Sequence, residues 1–331
     1  AKVFVNGEFV VSHEGGYSAF RADITEKCTE EFNTIAIWCS NEKCDAIYPQ
    51  SADFTFYGGL YRGAHLICVP ETHFELLHYG DLGIHAATEP ASWDKEDFML
   101  HIRTKICGVE KDNQVIYQIF DEDGKEVASA ARPADSPDTS IPLYKPHRWD
   151  IKNSYQYMLK ALIMRNNECL DEVELKFGVR TFCCDPGRGF LINGNCVPLR
   201  GVSRHQDKLY QGNALTKEDH IRDAELIEEI GANTVRLAHY QHAQEFYNEC
   251  DKRGFVVWAE IPFISVMNED PLAHENCITQ LKELIYQNDH HPSICFWGIS
   301  NEILIGGISE KLVENHRELN ALAKKIDPYR L

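Results

Sequence analysis

The sequence predicts a multidomain chain, β-rich first and α/β at its end, from two patterns that meet near residue 178. Up to that point short β-prone runs are separated by turn residues with no helical period; beyond it, strand and helix patterns alternate four times. The first pattern belongs to β-sandwiches and the second to a parallel sheet covered by helices.

The chain opens on a run over 2–5, an Asn6-Gly7 turn and a second run over 8–11. Asn-Gly between two β-prone runs is the strongest short hairpin signal, because both turn positions accept positive φ. Gly15-Gly16-Tyr17 reads as a turn, 34–39 as a strand, and Gly58-Gly59 as a break before a further β-prone run, 60–69. These form a first β unit, residues 1–71. With no initiator Met and no lead-in, the reading expects chain before Ala1. A second β unit, 72–178, carries runs at 98–107, 114–120 and 155–164, a hairpin turn at 121–124, and a loop over 131–146 where Pro, Asp and Ser crowd. His73, His78, His85 and His101 share no metal-ligand spacing and are expected as surface or strand positions.

The character changes at Phe177-Gly178-Val179-Arg180, the start of a third unit, 179–331. A hairpin about Asn193-Gly194 is followed by strands at 199–204, 234–238, 255–261 and 293–299, alternating with helices at 216–230, 243–253, 272–287 and 308–325. Thr216, with Asp219 three residues on, predicts a capping box, and Gly231 and Gly254 predict C-caps. Strand–helix units in series mean a parallel sheet. Closing a barrel takes eight such units, about 250 residues, so this unit is expected to be the first half of a (β/α)8 barrel. Its open edge and apolar faces lead us to expect association, with a homo-oligomer as one form of it, or low stability of the chain alone.

Polar residues follow every strand: Arg204-His205-Gln206-Asp207, then Arg236 and His239-Tyr240, then Glu260, then Asn301-Glu302. In a barrel these positions converge on one rim, although they lie about a hundred residues apart. The last strand is an apolar run, Ile294 to Trp297 with Ile299, entered through His291-Pro292.

Around that strand, Asp289-His290-His291-Pro292-Ser293-Ile294, Trp297 and Asn301-Glu302 resemble the fourth-strand signature of family-two glycoside hydrolases, the β-galactosidase and β-glucuronidase group. Segments 201–207 (GVSRHQD) and 235–240 (VRLAHY) are similar to two further signatures of that family, with Gln241 where Pro is usual. The resemblance extends to the N-terminal words, VNGEFV and DFTFYGGLYRGAHLI among them. It implies a partial sugar-binding jelly-roll domain at 1–71, an immunoglobulin-like sandwich at 72–178, and an internal piece of a larger enzyme ending at the fourth barrel unit.

That enzyme would be a retaining glycosidase cleaving terminal β-linked sugars of an oligosaccharide or glycoside. Breaking a glycosidic bond requires one carboxylic acid to protonate the leaving oxygen and a second carboxylate, about 5 Å away, to attack the anomeric carbon. By resemblance Glu302 is the acid/base, Asn301 bonds the sugar 2-hydroxyl, and Arg236 sits beneath the nucleophile. His205, His239, Asp53 and Trp297 are placed with the sugar. Glu260 resembles a supporting residue, and the nucleophile is expected on a later strand. The Arg-His-Gln-Asp segment looks more like galactosidases than glucuronidases, so β-galactosides are the expected substrate, with β-glucuronides, β-mannosides or a non-catalytic carbohydrate-binding role as alternatives. Glu260-Ile261-Pro262 departs from the magnesium pattern of some galactosidases, so no metal and no cofactor is expected.

Composition agrees with a sugar partner. The 331 residues are 44% hydrophobic, enough for two or three cores, and carry a formal net charge of -18. A strongly acidic chain suits neither nucleic acid nor an anionic membrane, and no apolar run is long enough to span one. Its 12 cysteines are scattered without a C-x-x-C pair, which points to reduced thiols and a cytoplasmic setting.

Overall fold

Period-two burial builds the β-rich units. In the computed structural model, which describes residues 1–91 and 96–331, Lys2–Val5 pairs antiparallel with Glu8–Ser12 and with Ile35–Trp38. The Asn6-Gly7 turn between the first two has positive φ at both positions, 51° and 85°. Residues 60–69 correct the sequence reading, for they form no strand. A β-run needs a neighbour for its N–H and C=O groups, and among the described residues this one has none. Leu60, Leu66 and Ile67 stay exposed. The segment is held by side chains: Tyr61 donates its hydroxyl to Gly16 O at 2.6 Å, and Arg62 donates to the carbonyls of Tyr17 and Gln241.

The second unit is a sandwich of two antiparallel sheets. One has the order Thr139–Leu143, Phe98–Thr104, Ile84–Pro90; the other runs Glu168–Phe177, Tyr157–Arg165, Gln114–Phe120, Glu126–Pro133. Alternate residues Leu100, Ile102, Val115, Tyr117, Ile119, Leu159, Ala161 and Ile163 are buried between them. The expected loop at 131–146 is instead the end of one strand, a short turn and the whole of Thr139–Leu143. Its prolines misled because Pro133 and Pro142 lie on edge strands, where a missing N–H breaks no ladder.

The third unit is a four-stranded parallel sheet, Gly201–Arg204, Thr234–Leu237, Val256–Glu260 and Ile294–Gly298 in that order. Helices α1 (Lys217–Glu229), α2 (Gln244–Arg253), α3 (Pro271–Asn288) and α4 (Glu310–Ile326) follow the strands in turn. The capping box at Thr216 and Asp219 is formed, and Gly254 ends α2 with φ 72°. Val235, Leu237, Val257, Ala259 and Trp297 pack with Phe246, Leu281, Leu284 and Leu319 in the core beneath the helices. On the other face Phe296 stacks on Trp258 at 5.5 Å and meets Phe190 of the preceding hairpin at 5.7 Å. Leu331 exchanges two backbone hydrogen bonds with Cys295 and Trp297, partly covering the edge of the fourth strand.

The units are tied by buried side chains. Tyr48 of the first enters the barrel core against Phe263, and its hydroxyl accepts from Asn268 N at 2.7 Å. Trp149 donates its indole N–H to Asp251 O at 2.7 Å. His85 is a strand position, within Ile84–Pro90, and a buried one: it converges with His78 on Asp81 and with Asp289 at the end of α3. Among the described residues no helix is long and apolar enough to cross a membrane, and all 12 cysteines are free.

Candidate active site

Strand alternation decides which side chains enter the rim. Arg236 is in register with Trp258, and Glu260 with Gly298, so these positions share the inner face. Gly298 is required there: a Cβ would lie 2.3 Å from Trp258 Nε1 and 2.6 Å from Glu260 Cβ.

Glu260, 1% exposed, is the centre of the network. Arg236 donates from Nε to Oε2 at 2.9 Å and from Nη2 to Oε1 at 2.7 Å, a two-pronged charge-assisted pair. His239 Nδ1 stands 2.7 Å from Oε1; given to the carboxylate, its proton leaves Nε2 as the free ring atom. Arg236 Nη2 also donates to Asn301 Oδ1 at 2.6 Å. The expectation placed Arg236 under an attacking carboxylate; the charge it holds here is that of Glu260.

Asn301 is fixed from two sides. Its backbone N–H donates to Phe263 O at 2.9 Å and its carbonyl accepts from Ser265 N at 3.1 Å, joining the fourth strand exit to the segment after the third. With Oδ1 taken by Arg236, Nδ2 is buried without a hydrogen-bond partner among the described residues. Glu302 follows, exposed, in left-handed backbone with φ 49°. For a residue other than glycine that conformation is uncommon.

His205 joins this group through ring contacts, 5.1 Å from His239 and 5.1 Å from Phe54. Its Nδ1 is also buried and unpartnered. Burial, then the neighbouring His239, pushes the imidazole below its usual value, so the ring is neutral at neutral pH. Asp53 is exposed, and its charge acts on His205 in the opposite sense. Its neighbour Phe54 contacts His205, His239 and Tyr240, bringing the first unit onto the rim.

Two expected residues face elsewhere. Trp297 is in register with Ala259 on the helix side, is buried there, and gives its indole N–H to Asp327 at 2.9 Å; it does not line the rim. Arg204 lies between α1 and α2, paired with Asp223 at 2.6 Å and donating to His242 and His220. Phe54 and Trp258 were missed. Trp258 stands two residues before Glu260 on one strand, a spacing that already put it on the same face.

The fold and the site define a parallel α/β barrel unit with its polar groups gathered at the strand exits. The chain belongs to glycosyl hydrolase family 2: the family model for its TIM barrel domain matches residues 186–331, and a second model of the same family matches 90–180. It is 35% identical to a β-glucuronidase of Bacteroides fragilis, over 100% of this chain and 49% of that one. A β-galactosidase of Thermoanaerobacter pseudethanolicus is 31% identical, over 99% of this chain and 43% of the relative. The crystal structure of an FMN-binding β-glucuronidase from Facaelibacterium prausnitzii L2-6 superposes with a TM-score of 0.97 at 52% identity, covering 100% of this chain and 51% of that one. The chain thus spans about half the length of the relatives it matches.

Proposed function

We propose that these residues carry the acid/base half of a retaining β-glycosidase site. The supporting observation is the Arg236–Glu260–Asn301 network, which locks the strand exit immediately before Glu302. Glu302 donates a proton to the glycosidic oxygen as the bond to the anomeric carbon breaks; a carboxylate on the opposite face forms the glycosyl ester, and water, deprotonated by Glu302, releases the sugar. Glu260 is not that nucleophile, because both its oxygens are engaged by Arg236, and one by His239 as well. The attacking group is therefore assigned outside these residues. Asn301 Nδ2, held by the bond through its Oδ1, donates to the sugar 2-hydroxyl, a contact that strengthens toward the transition state. His205 Nδ1 and His239 Nε2 meet other hydroxyls, with Asp53 at the edge.

The sugar we infer is a β-glucuronide, supported by the names of the relatives at 52% and 35% identity. A β-galactoside is the second reading, favoured by the Arg204–Asp207 segment and by the galactosidase relative. A panel of chromogenic β-glucuronide, β-galactoside and β-mannoside, assayed with the full-length protein carrying this chain, decides between them. Preferential glucuronide turnover is expected; preferential galactoside turnover establishes the second reading, and no turnover of any member contradicts both. The 331 residues alone are expected to be inactive on the same panel, and turnover abolished by Glu302→Ala would place the nucleophile within them.

A further inference from the structure

We propose that His78, Asp81 and His85 form a binding site for a divalent transition metal of the zinc class, at the seam between the second β unit and helix α3. The site shares no residue with the barrel-rim network and does not depend on the glycosidase reading.

Three potential ligand atoms meet there. His78 Nδ1 lies 2.6 Å and His85 Nε2 3.1 Å from the same oxygen, Asp81 Oδ2, and all three atoms fall within 4.8 Å of one another. The other Asp81 oxygen accepts from Gly83 N at 2.8 Å, so Oδ2 alone faces the two rings. The loop is built to hold this arrangement. Tyr79 and Gly80 turn the chain with φ 50° and 70°, and Asp81 N donates to His78 O at 3.1 Å. A Cβ at Gly80 would sit 2.8 Å from Ala19 O, and one at Gly83 would sit 2.7 Å from Glu75 O. Arg21 pins the turn by donating to the carbonyls of Leu76 and Asp81.

A second observation points to a cation. The far ring nitrogen of His85, Nδ1, stands 2.7 Å from Asp289 Oδ2 at the C-terminal end of α3. That carboxylate orients the ring with Nε2 toward Asp81. Metal-bound imidazoles characteristically give their other N–H to a carboxylate, which fixes the tautomer and strengthens the ligand. Side-chain exposure is graded in the way a site with one open position needs: Asp81 0%, His85 7%, His78 22%. Two imidazoles and one carboxylate suit zinc, with water in the fourth position. Metal–ligand bonds of about 2.0–2.2 Å place tetrahedral ligand atoms about 3.3 Å apart. The two spacings to Asp81 Oδ2, 2.6 and 3.1 Å, need to open by about 0.7 and 0.2 Å to reach that value, and His78 is the most exposed of the three. In sequence the ligands fall at i, i+3 and i+7, His78-x-x-Asp81-x-x-x-His85. A metal there clamps the start of the sandwich to the barrel through Asp289.

The test is a Co2+ titration of the 331-residue chain with its accessible cysteines alkylated, read by visible ligand-field absorption. One equivalent of Co2+ is expected to give a tetrahedral nitrogen–oxygen spectrum without a thiolate charge-transfer band. His85→Gln is expected to abolish the spectrum, and Asp289→Asn to weaken binding about 10- to 100-fold. Because His85 is buried, His78→Gln serves as the partly exposed partner variant, with folding followed by circular dichroism; it too should lose the spectrum. Absence of the spectrum in the folded parent chain, or its persistence in both His78→Gln and His85→Gln, overturns the proposal and leaves the cluster a hydrogen-bonded latch.

Discussion

Glu260 is a buried charge compensated from the rim, and that fixes what its neighbours are worth. Arg236→Met leaves the carboxylate, 1% exposed, with His239 as its remaining hydrogen-bond partner. Removing one side of a buried ion pair costs about 3–5 kcal/mol, so the urea midpoint of the chain should fall sharply in this variant. An unchanged midpoint would show that the carboxylate is solvated after all. At this scale the sequence disclosed the polar residues after each strand, because polar groups there interrupt apolar runs. It did not disclose orientation within the runs. Val256 to Ala259 and Ile294 to Trp297 are apolar on both faces, as strands covered on both sides are. Trp297 and Trp258 could not be told apart by hydropathy; register puts Trp258 on the inner face and Trp297 under the helices.

At the scale of elements, Arg204 joins the first barrel strand to two helices. It donates from Nη2 to His220 Nδ1 on α1 at 3.2 Å and from Nη1 to His242 Nδ1 before α2 at 3.1 Å. Both imidazoles must be neutral to accept. Burial first, then the Arg204 charge, pushes His220 down to about 4 and His242 well below its usual value. An unfolded His titrates near about 6.5. For His220 the folded state therefore binds fewer protons than the unfolded one between those values, and its contribution is complete above about pH 6.5 and lost as pH falls to about 4; His242 acts in the same direction. Thermal melts across that window should show a falling midpoint, with a shallower slope in His220→Gln. Equal slopes would remove His220 from the account. Elements with local signals were legible: the Asn6-Gly7 hairpin, the Thr216 capping box, the Gly254 cap. Residues 60–69 and 131–146 were misread because pairing depends on neighbours remote in sequence, which β-propensity and proline content do not reveal.

The whole molecule is held by contacts that carry no sequence period, and the joints between units were accordingly the least legible part of the fold. Tyr48 is the clearest case, 2% exposed, from an irregular segment, yet part of the barrel core. Tyr48→Ala removes a buried ring and the acceptor for Asn268 N; large aromatic truncations cost about 3–5 kcal/mol, and the loss should appear in barrel unfolding although the residue belongs to the first unit. Unfolding that spares the barrel would mean the units are independent. The same joining brings Phe54 and Asp53 to the rim, where the chemistry rests on Glu302. Its role is tested most directly by comparing Glu302→Gln with the parent, both in the full-length protein, on aryl glycosides of graded leaving-group ability. General acid catalysis contributes about 10²- to 10⁴-fold, so the variant should lose activity by that factor on poor leaving groups and far less on activated ones. An equal loss across the series would contradict the assignment of Glu302 as the acid.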